Sequence, residues 1–286
     1  AWGWGPTGHM VVAKIAEREL TPAAKTEARR LLRIRRLAIP SIPGIPISGV
    51  TPDQIRPTAS NSDFVSAACW PDDIKSNTRA FNSWHFIDVP FSPDSTPLPA
   101  EDPVNAKVIM AQCVSTLRSP TASDNLKATM LRFLIHLVGD VHQPLHCSAR
   151  VTAAHPQGDR GGNDFKINTP EGQLHGYWDG GVQLFRDPMR QQNPENRRKR
   201  RSKAAITRLA NGIIAVFPRS SLPQRTDLNF DTWVNESSGL AQSVAYNLTE
   251  NSTPSNTYNG TAQHVVRQRA ALGGYRLAAL LNGIFR

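Results

Sequence analysis

The sequence predicts a mainly α-helical fold, one domain spanning residues 1–286, with a short β-hairpin and long loops. Three observations carry this. Apolar residues recur at helical spacing over most of the chain, as in Val12, Ile15, Ala16 and Leu20, or Val265, Val266, Ala270, Leu277, Leu280, Leu281 and Ile284. Helix-start signals precede several of these stretches, Thr21-Pro22 and Asp102-Pro103 among them. The stretches without periodicity are rich in proline and glycine instead, and neither an internal repeat nor a clean linker divides the chain.

In order, a helix is expected over 9–20, and a second from the Thr21-Pro22 cap through Leu32. Residues 37–61, with five prolines and two glycines, read as a surface loop. A short helix should run from near Asp63 toward Trp70. The aromatic and β-branched segment 85–91 reads as extended. Helices follow from Asp102-Pro103 to about Leu117 and over 124–143. Gly158 to Ile167 should form a turn leading into a short strand or hairpin. Segments 174–186, 194–217, 231–250 and 260–285 complete the helical set.

At 286 residues and 39% hydrophobic content, the chain is long enough to bury a sizeable core. The formal net charge of +10 gives a surface that attracts polyanions. The densest charge run, Arg197-Arg-Lys-Arg-Arg201, is either a solvated face or a phosphate-binding element. No apolar run is long enough to span a bilayer, so membrane insertion is not expected. The chain opens Ala1-Trp-Gly-Trp-Gly without methionine, the pattern expected after removal of a leader, and a secreted or periplasmic location is the corresponding expectation. Cys69, Cys113 and Cys147 allow one disulfide or none. Four sequons, at Asn235, Asn247, Asn251 and Asn259, would be used only in a eukaryotic secretory pathway.

The segment 132–146, RFLIHLVGDVHQPLH, places three histidines and an aspartate in what otherwise reads as a buried helix. Buried polar groups must be paired or ligated. His136 and Asp140 are four apart and share a helix face, and Pro144 then redirects the chain so that His146 points elsewhere. His175 and Asp179 repeat the i, i+4 spacing. His85 stands among aromatics, Asp72 and Asp73 follow Trp70-Pro71, and His9 lies in a glycine-flanked segment. Singly, each reads as well as a cap, a core histidine or a surface ion pair. Jointly, five histidines and three aspartates exceed the needs of one tetrahedral ion, and nitrogen and carboxylate donors without paired cysteines favour zinc. Two or three ions, with one aspartate bridging a pair, fit better. Such a cluster on a basic protein suits attack of an activated water at phosphorus.

At these residues the chain resembles the zinc-dependent single-strand-specific nucleases of the S-one/P-one type, the class I 3′-nucleotidase/nucleases of the phospholipase C/nuclease superfamily. The motifs carrying the resemblance are Trp4-Gly-Pro-Thr-Gly-His9, Trp70-Pro-Asp72, His85-Phe-Ile-Asp88, His136-x-x-x-Asp140-x-His-Gln-Pro-Leu-His146, Gly161-Gly-Asn-Asp, His175-x-x-x-Asp179 and the closing Gly274-Tyr-Arg-Leu-Ala-Ala-Leu-Leu-Asn282. The resemblance implies the helical fold of that superfamily and three zinc ions. Asp72, His85, His136 and Asp140 would hold the first; His146, His175 and Asp179 the second. Asp140 would bridge to a third, completed by His9 and the backbone nitrogen and carbonyl oxygen of Trp4. It also implies that Lys75 stabilises charge on the phosphate, with Asp72, Lys75 and Asp140 the catalytic set. Phe86 would stack a base, Asp88 would bind its edge, and Asn163 would touch substrate. The implied reaction is hydrolysis of single-stranded DNA and RNA to 5′-phosphorylated products, often with action on 3′-mononucleotides, by a monomer.

Three features depart from that pattern. Trp4, rather than residue 1, has the family spacing to His9, and an internal Trp4 offers an amide where an amine is expected; either the native chain begins at Trp4, which is favoured, or Ala1 folds back to supply the amine, or the third zinc is weak. The proline-rich loop has no evident counterpart, and the usual disulfides do not map onto three cysteines. Two other functions share part of this pattern. A zinc-dependent phospholipase C has glutamate where Asp179 stands, and a non-catalytic, zinc-bearing polyanion-binding protein should close each zinc with four protein ligands.

Overall fold

The computed structural model describes residues 4–186 and 201–286. Ten α-helices are present among them: α1 (Pro6–Glu19), α2 (Pro22–Leu32), α3 (Phe64–Ala67), α4 (Trp70–Asp73), α5 (Ala106–Arg118), α6 (Asp124–Asp140), α7 (Leu174–Asp179), α8 (Lys203–Val216), α9 (Phe230–Leu240) and α10 (Asn256–Ile284). The fold is mainly α-helical, as expected.

Local chemistry sets most boundaries. Pro6 stands in the first turn of α1, where its missing N–H costs nothing, so the helix begins before His9 rather than at it. Thr21 caps α2 by accepting a hydrogen bond from the Ala24 amide. Asp63 caps α3 in a reciprocal box with Ser66. Helix α5 starts three residues later than Asp102-Pro103 suggests, because Asn105 is its cap while the Asp102 side chain accepts from the Val104 amide. Helix α6 stops at Asp140, not at 143: Gln143 precedes a proline and takes an extended conformation, and Pro144–Cys147 forms a 3-10 turn.

Helix α7 is only six residues long, ending at Gly180, and positive φ values at Gly181, Val182 and Gln183 turn the chain away where a helix to 186 was expected. The helix expected over 194–217 is described only from Lys203, and most of the 197–201 run lies outside the described residues. The segment 231–250 is helical to Ala245, its last turn being π-helical.

Strand structure is small. Segment 85–91 is extended as expected except at His85, which closes the 3-10 turn Asn82–His85, and it contributes β1 (Pro90–Phe91), which pairs in parallel with β2 (Ala149–Arg150). The hairpin expected near 158–167 is reduced to one antiparallel bridge, Lys166 to Gln173.

Helices α1, α6 and α10 form the centre. Helix α1 packs against α10, where a methyl on Gly274 would lie 2.6 Å from Ile15 Cβ; only glycine permits that approach. Asn282 of α10 donates to the Glu19 carbonyl and accepts from the Thr21 amide, tying down the α1–α2 corner. Arg132 of α6 is buried and donates to the Leu32 and Ile34 carbonyls, satisfying the C-terminal end of α2. The proline-rich stretch is more than a surface loop, since Leu37, Ile42 and Ile55 are buried and Trp70 donates its indole N–H to the Ile55 carbonyl. All three cysteines are buried free thiols.

Candidate metal centre

The C-terminal end of α6 brings the site together. His136 and Asp140 project from one face, as the i, i+4 spacing requires, and both are fully buried. Helix α4 supplies Asp72, the 3-10 turn Asn82–His85 supplies His85, and α1 supplies His9. The turn after α6 carries His146, and α7 carries His175 and Asp179. Three groups of ligand-competent atoms result: Asp72, His85 and His136; His9, His136 and Asp140; and His146, His175 and Asp179.

Asp140 stands beside the first group. His85 Nδ1 is 2.9 Å from His136 Nε2 and 3.1 Å from Asp140 Oδ2, and His136 Nε2 is 3.1 Å from the same oxygen. Asp72 Oδ1 is 3.8 Å from His85 Nδ1 and 3.7 Å from His136 Nε2. Tetrahedral zinc with bonds near 2.0–2.2 Å sets its ligand atoms roughly 3.3–3.6 Å apart, so these spacings fit one ion. The other oxygen, Asp140 Oδ1, lies 3.3 Å from His9 Nε2. One carboxylate therefore faces two groups. Trp4 is buried beside this second group: it and His9 both press on Gly139, where a Cβ would sit 2.8 Å from His9 Nδ1 and 3.8 Å from Trp4 Cδ1.

The last group has three members. His175 Nε2 stands 3.1 Å from His146 Nε2 and 3.4 Å from Asp179 Oδ2, and His146 Nε2 is 3.8 Å from Asp179 Oδ1. Asp179 Oδ1 accepts a 2.8 Å hydrogen bond from Gln143 Nε2, and Gln143 Oε1 accepts from the Leu145 amide.

Backbone carbonyls fix the imidazoles. His136 Nδ1 is 2.6 Å from the Ala68 carbonyl, His146 Nδ1 2.6 Å from that of His85, and His175 Nδ1 2.7 Å from that of Gly161. A ring that donates Nδ1–H outward presents an unprotonated Nε2 inward, the form that ligates a cation. Both His9 nitrogens, His85 Nε2 and Asp72 Oδ2 have no hydrogen-bond partner although buried. Orphaned donors and acceptors in this number are costly unless a cation completes them.

The charges are consistent with ligand duty. Burial lowers the His9 pKa and, with Lys75 nearby, drives His85 down to about 3, so both imidazoles are neutral. Burial would raise Asp72 and Asp140, but positive charge at His136, whose own pKa these two carboxylates raise against the effect of burial, holds both below the usual carboxylate range; a bound cation would take the place of that proton. Asp179 differs: burial pushes it well up despite the Gln143 hydrogen bond.

Beside the centre opens a cavity of about 520 Å³, lined by Lys75, Arg79, Asn82, Phe86, Asp88, Leu145, Arg160, Asn163 and His175. It collects every substrate-contact residue expected from the sequence. Lys75 Nζ lies 2.7 Å from Asp72 Oδ1, so it touches the ligand set and the cavity at once. Asp88 is pushed up to about 6, chiefly by burial and then by Asp159 and Asp102. Asn163 Nδ2 donates to the Arg160 carbonyl within the glycine turn. His142 stands outside these groups: it sits 2.7 Å from the Val138 carbonyl and 3.1 Å from Arg276 Nη1, packed on Trp233.

Sequence reasoning missed Gln143, Asp159, Arg79 and Asn82. Gln143 could have been suspected as one more buried amide in an apolar run. Asp159 holds the glycine turn, accepting from the Arg150 and Gly162 amides and the Tyr246 hydroxyl, which no local pattern announces.

The chain as a whole is similar to known proteins. Endonuclease 3 of Arabidopsis thaliana is 27% identical, the match covering 99% of this chain and 89% of its own length. Endonuclease 2 of the same plant is 26% identical over the same share of this chain. Nuclease P1 of Penicillium citrinum is 26% identical over 62% of this chain and 57% of its own length. The profile of the S1/P1 nuclease family, the S-one/P-one type, matches residues 4–286, and the chain belongs to that family.

Proposed function

We propose that this chain is a one-domain, zinc-dependent phosphodiesterase that hydrolyses single-stranded DNA and RNA to 5′-phosphorylated products, and that it also acts on 3′-mononucleotides. The observation that carries the reading is the shared membership of two residues. Lys75 and His175 line the cavity, while Lys75 contacts Asp72 and His175 belongs to the three-member group. A phosphate in that cavity is therefore next to the ligand atoms. Family membership supports the same activity.

In this reading three zinc ions are held. Asp72, His85, His136 and Asp140 would hold one; His146, His175 and Asp179 would hold another; Asp140, His9 and the Trp4 backbone would hold the third. Zinc at such a centre supplies Lewis acidity toward phosphoryl oxygens and a nucleophile at neutral pH. The side chains do the remainder. Lys75 places a positive charge where charge accumulates on the phosphate. Phe86 offers a stacking face, which any unpaired base satisfies and a paired base inside a duplex does not. Asp88 as a carboxylate accepts from base N–H groups, and Asn163 bounds the same space. A zinc held by the three-member group would keep a position for water or substrate, as catalytic zinc sites do.

The enzyme acts as a monomer outside the cytoplasm; none of the described helices is long and apolar enough to cross a membrane. Matched single-stranded and duplex substrates of one sequence test the reading. Faster cleavage of the single strand, with phosphate on the 5′ ends of the products, is expected. Products bearing 3′ phosphate, or equal rates on both substrates, would overturn it.

A further inference from the structure

The cavity carries more positive charge than one phosphate needs. Lys75 is engaged with Asp72, and Arg160 is engaged in a two-point ion pair with Asp164, at 2.9 and 2.6 Å. Arg79 is different. Its guanidinium lines the cavity, is exposed, and has no hydrogen-bond or ion-pair partner among the described residues. Asn82 lines the same cavity, and its side-chain amide likewise has no hydrogen-bond partner among the described residues. The two residues close one turn, the Asn82 amide donating to the Arg79 carbonyl at 3.1 Å, so both side chains rise from a single short rim. That turn runs directly into the 3-10 segment that delivers His85, which fixes the rim relative to the metal ligands.

We propose that the Arg79–Asn82 turn is a second phosphate subsite, taking the phosphodiester adjacent to the one being cleaved. The inference rests on the nuclease reading above and deepens it. A planar guanidinium binds phosphate through paired N–H donors, and an adjacent carboxamide adds a further donor. Phe86 and Asp88 serve the base and Lys75 serves the scissile phosphate, which leaves these donors for the strand beyond. The subsite would make the enzyme favour a chain over the smallest cleavable unit.

A dinucleoside monophosphate contains only the scissile phosphate, whereas a tetranucleotide supplies neighbours. The test compares kcat/KM on these two substrates for the wild-type protein and for Arg79→Gln. The ratio of tetranucleotide to dinucleotide kcat/KM should fall about tenfold in Arg79→Gln, the size of one charge-assisted hydrogen bond. Arg79→Lys should recover part of it, since it keeps the charge and loses the paired geometry. The slope of log affinity against log salt for a single strand should shrink by about 0.7, the amount for one phosphate contact. An unchanged ratio and slope in Arg79→Gln, with wild-type protein cleaving both substrates, would overturn the subsite alone. Wild-type protein that cleaves neither substrate would instead overturn the nuclease reading.

Discussion

Asp140 and Asp88 are buried carboxyl groups with opposite surroundings. Asp140 is ringed by imidazoles that hold it ionised against the effect of burial. Each of its oxygens faces a different ligand group, Oδ2 toward His85 and His136, Oδ1 toward His9. Asp140→Asn keeps the shape and removes the charge that two cations would share. Cleavage should fall by more than the roughly 10–100-fold that changes behind a ligand shell produce, while nucleic-acid affinity is retained. Steady-state cleavage rates check this, and unchanged turnover would contradict it. Asp88 is pushed up to about 6 by burial and by Asp159 and Asp102. As a carboxylate it accepts from base N–H groups, so oligonucleotide affinity should strengthen as pH rises through about 6. Asp88→Asn should lose that inflection, which fluorescence titration across pH 5–7 would read. The linked effect on stability has the other sign. A folded-state pKa above the ordinary value means that folding favours the protonated form. Its contribution is full below the ordinary carboxylate range and is lost as pH rises through about 6.

Elements succeed or fail here according to how local their causes are. Helices α2, α3 and α10 were legible because caps and apolar spacing lie within the segment itself. So was the pairing of His136 with Asp140 and of His175 with Asp179, since i, i+4 spacing puts each pair on one face before any tertiary contact forms. The end of α6 and the shortness of α7 were less legible: each depends on backbone conformations, extended at Gln143 and left-handed at 181–183, that serve the site beyond it. The parallel pairing of Pro90–Phe91 with Ala149–Arg150 joins segments far apart in sequence, and nothing in either announces it. The glycine turn is a middle case. Gly161 has φ +62°, and a methyl there would collide with the Leu145 carbonyl, while its own carbonyl anchors His175. Gly161→Ala should therefore cost about 1–3 kcal/mol of stability, measurable by urea unfolding. It should also loosen the His175 ring. A neutral result would mean that the turn does not constrain the site.

On the scale of the whole molecule, the fold assembles the centre from six separate stretches of chain, and a buried charge network braces it from behind. Glu236 accepts from both Arg269 and Arg276, Arg276 reaches His142, and Ser237 donates to the Val141 carbonyl just after α6. The excess of ten positive charges concerns approach rather than fold. Neutralising the run at 197–201 should reduce the salt dependence of single-strand binding without altering the selectivity for unpaired strands. If the slope of affinity against salt stays fixed, that run takes no part in binding. The central claim is that the imidazole and carboxylate groups around Asp140 hold catalytic zinc. It is tested most directly by removing metal with a chelator, restoring zinc in steps, and following both bound zinc and single-strand cleavage. Cleavage should be lost in the metal-free protein and should recover fully as three zinc ions per chain return. Cleavage by metal-free protein, or full zinc occupancy without cleavage, would contradict it.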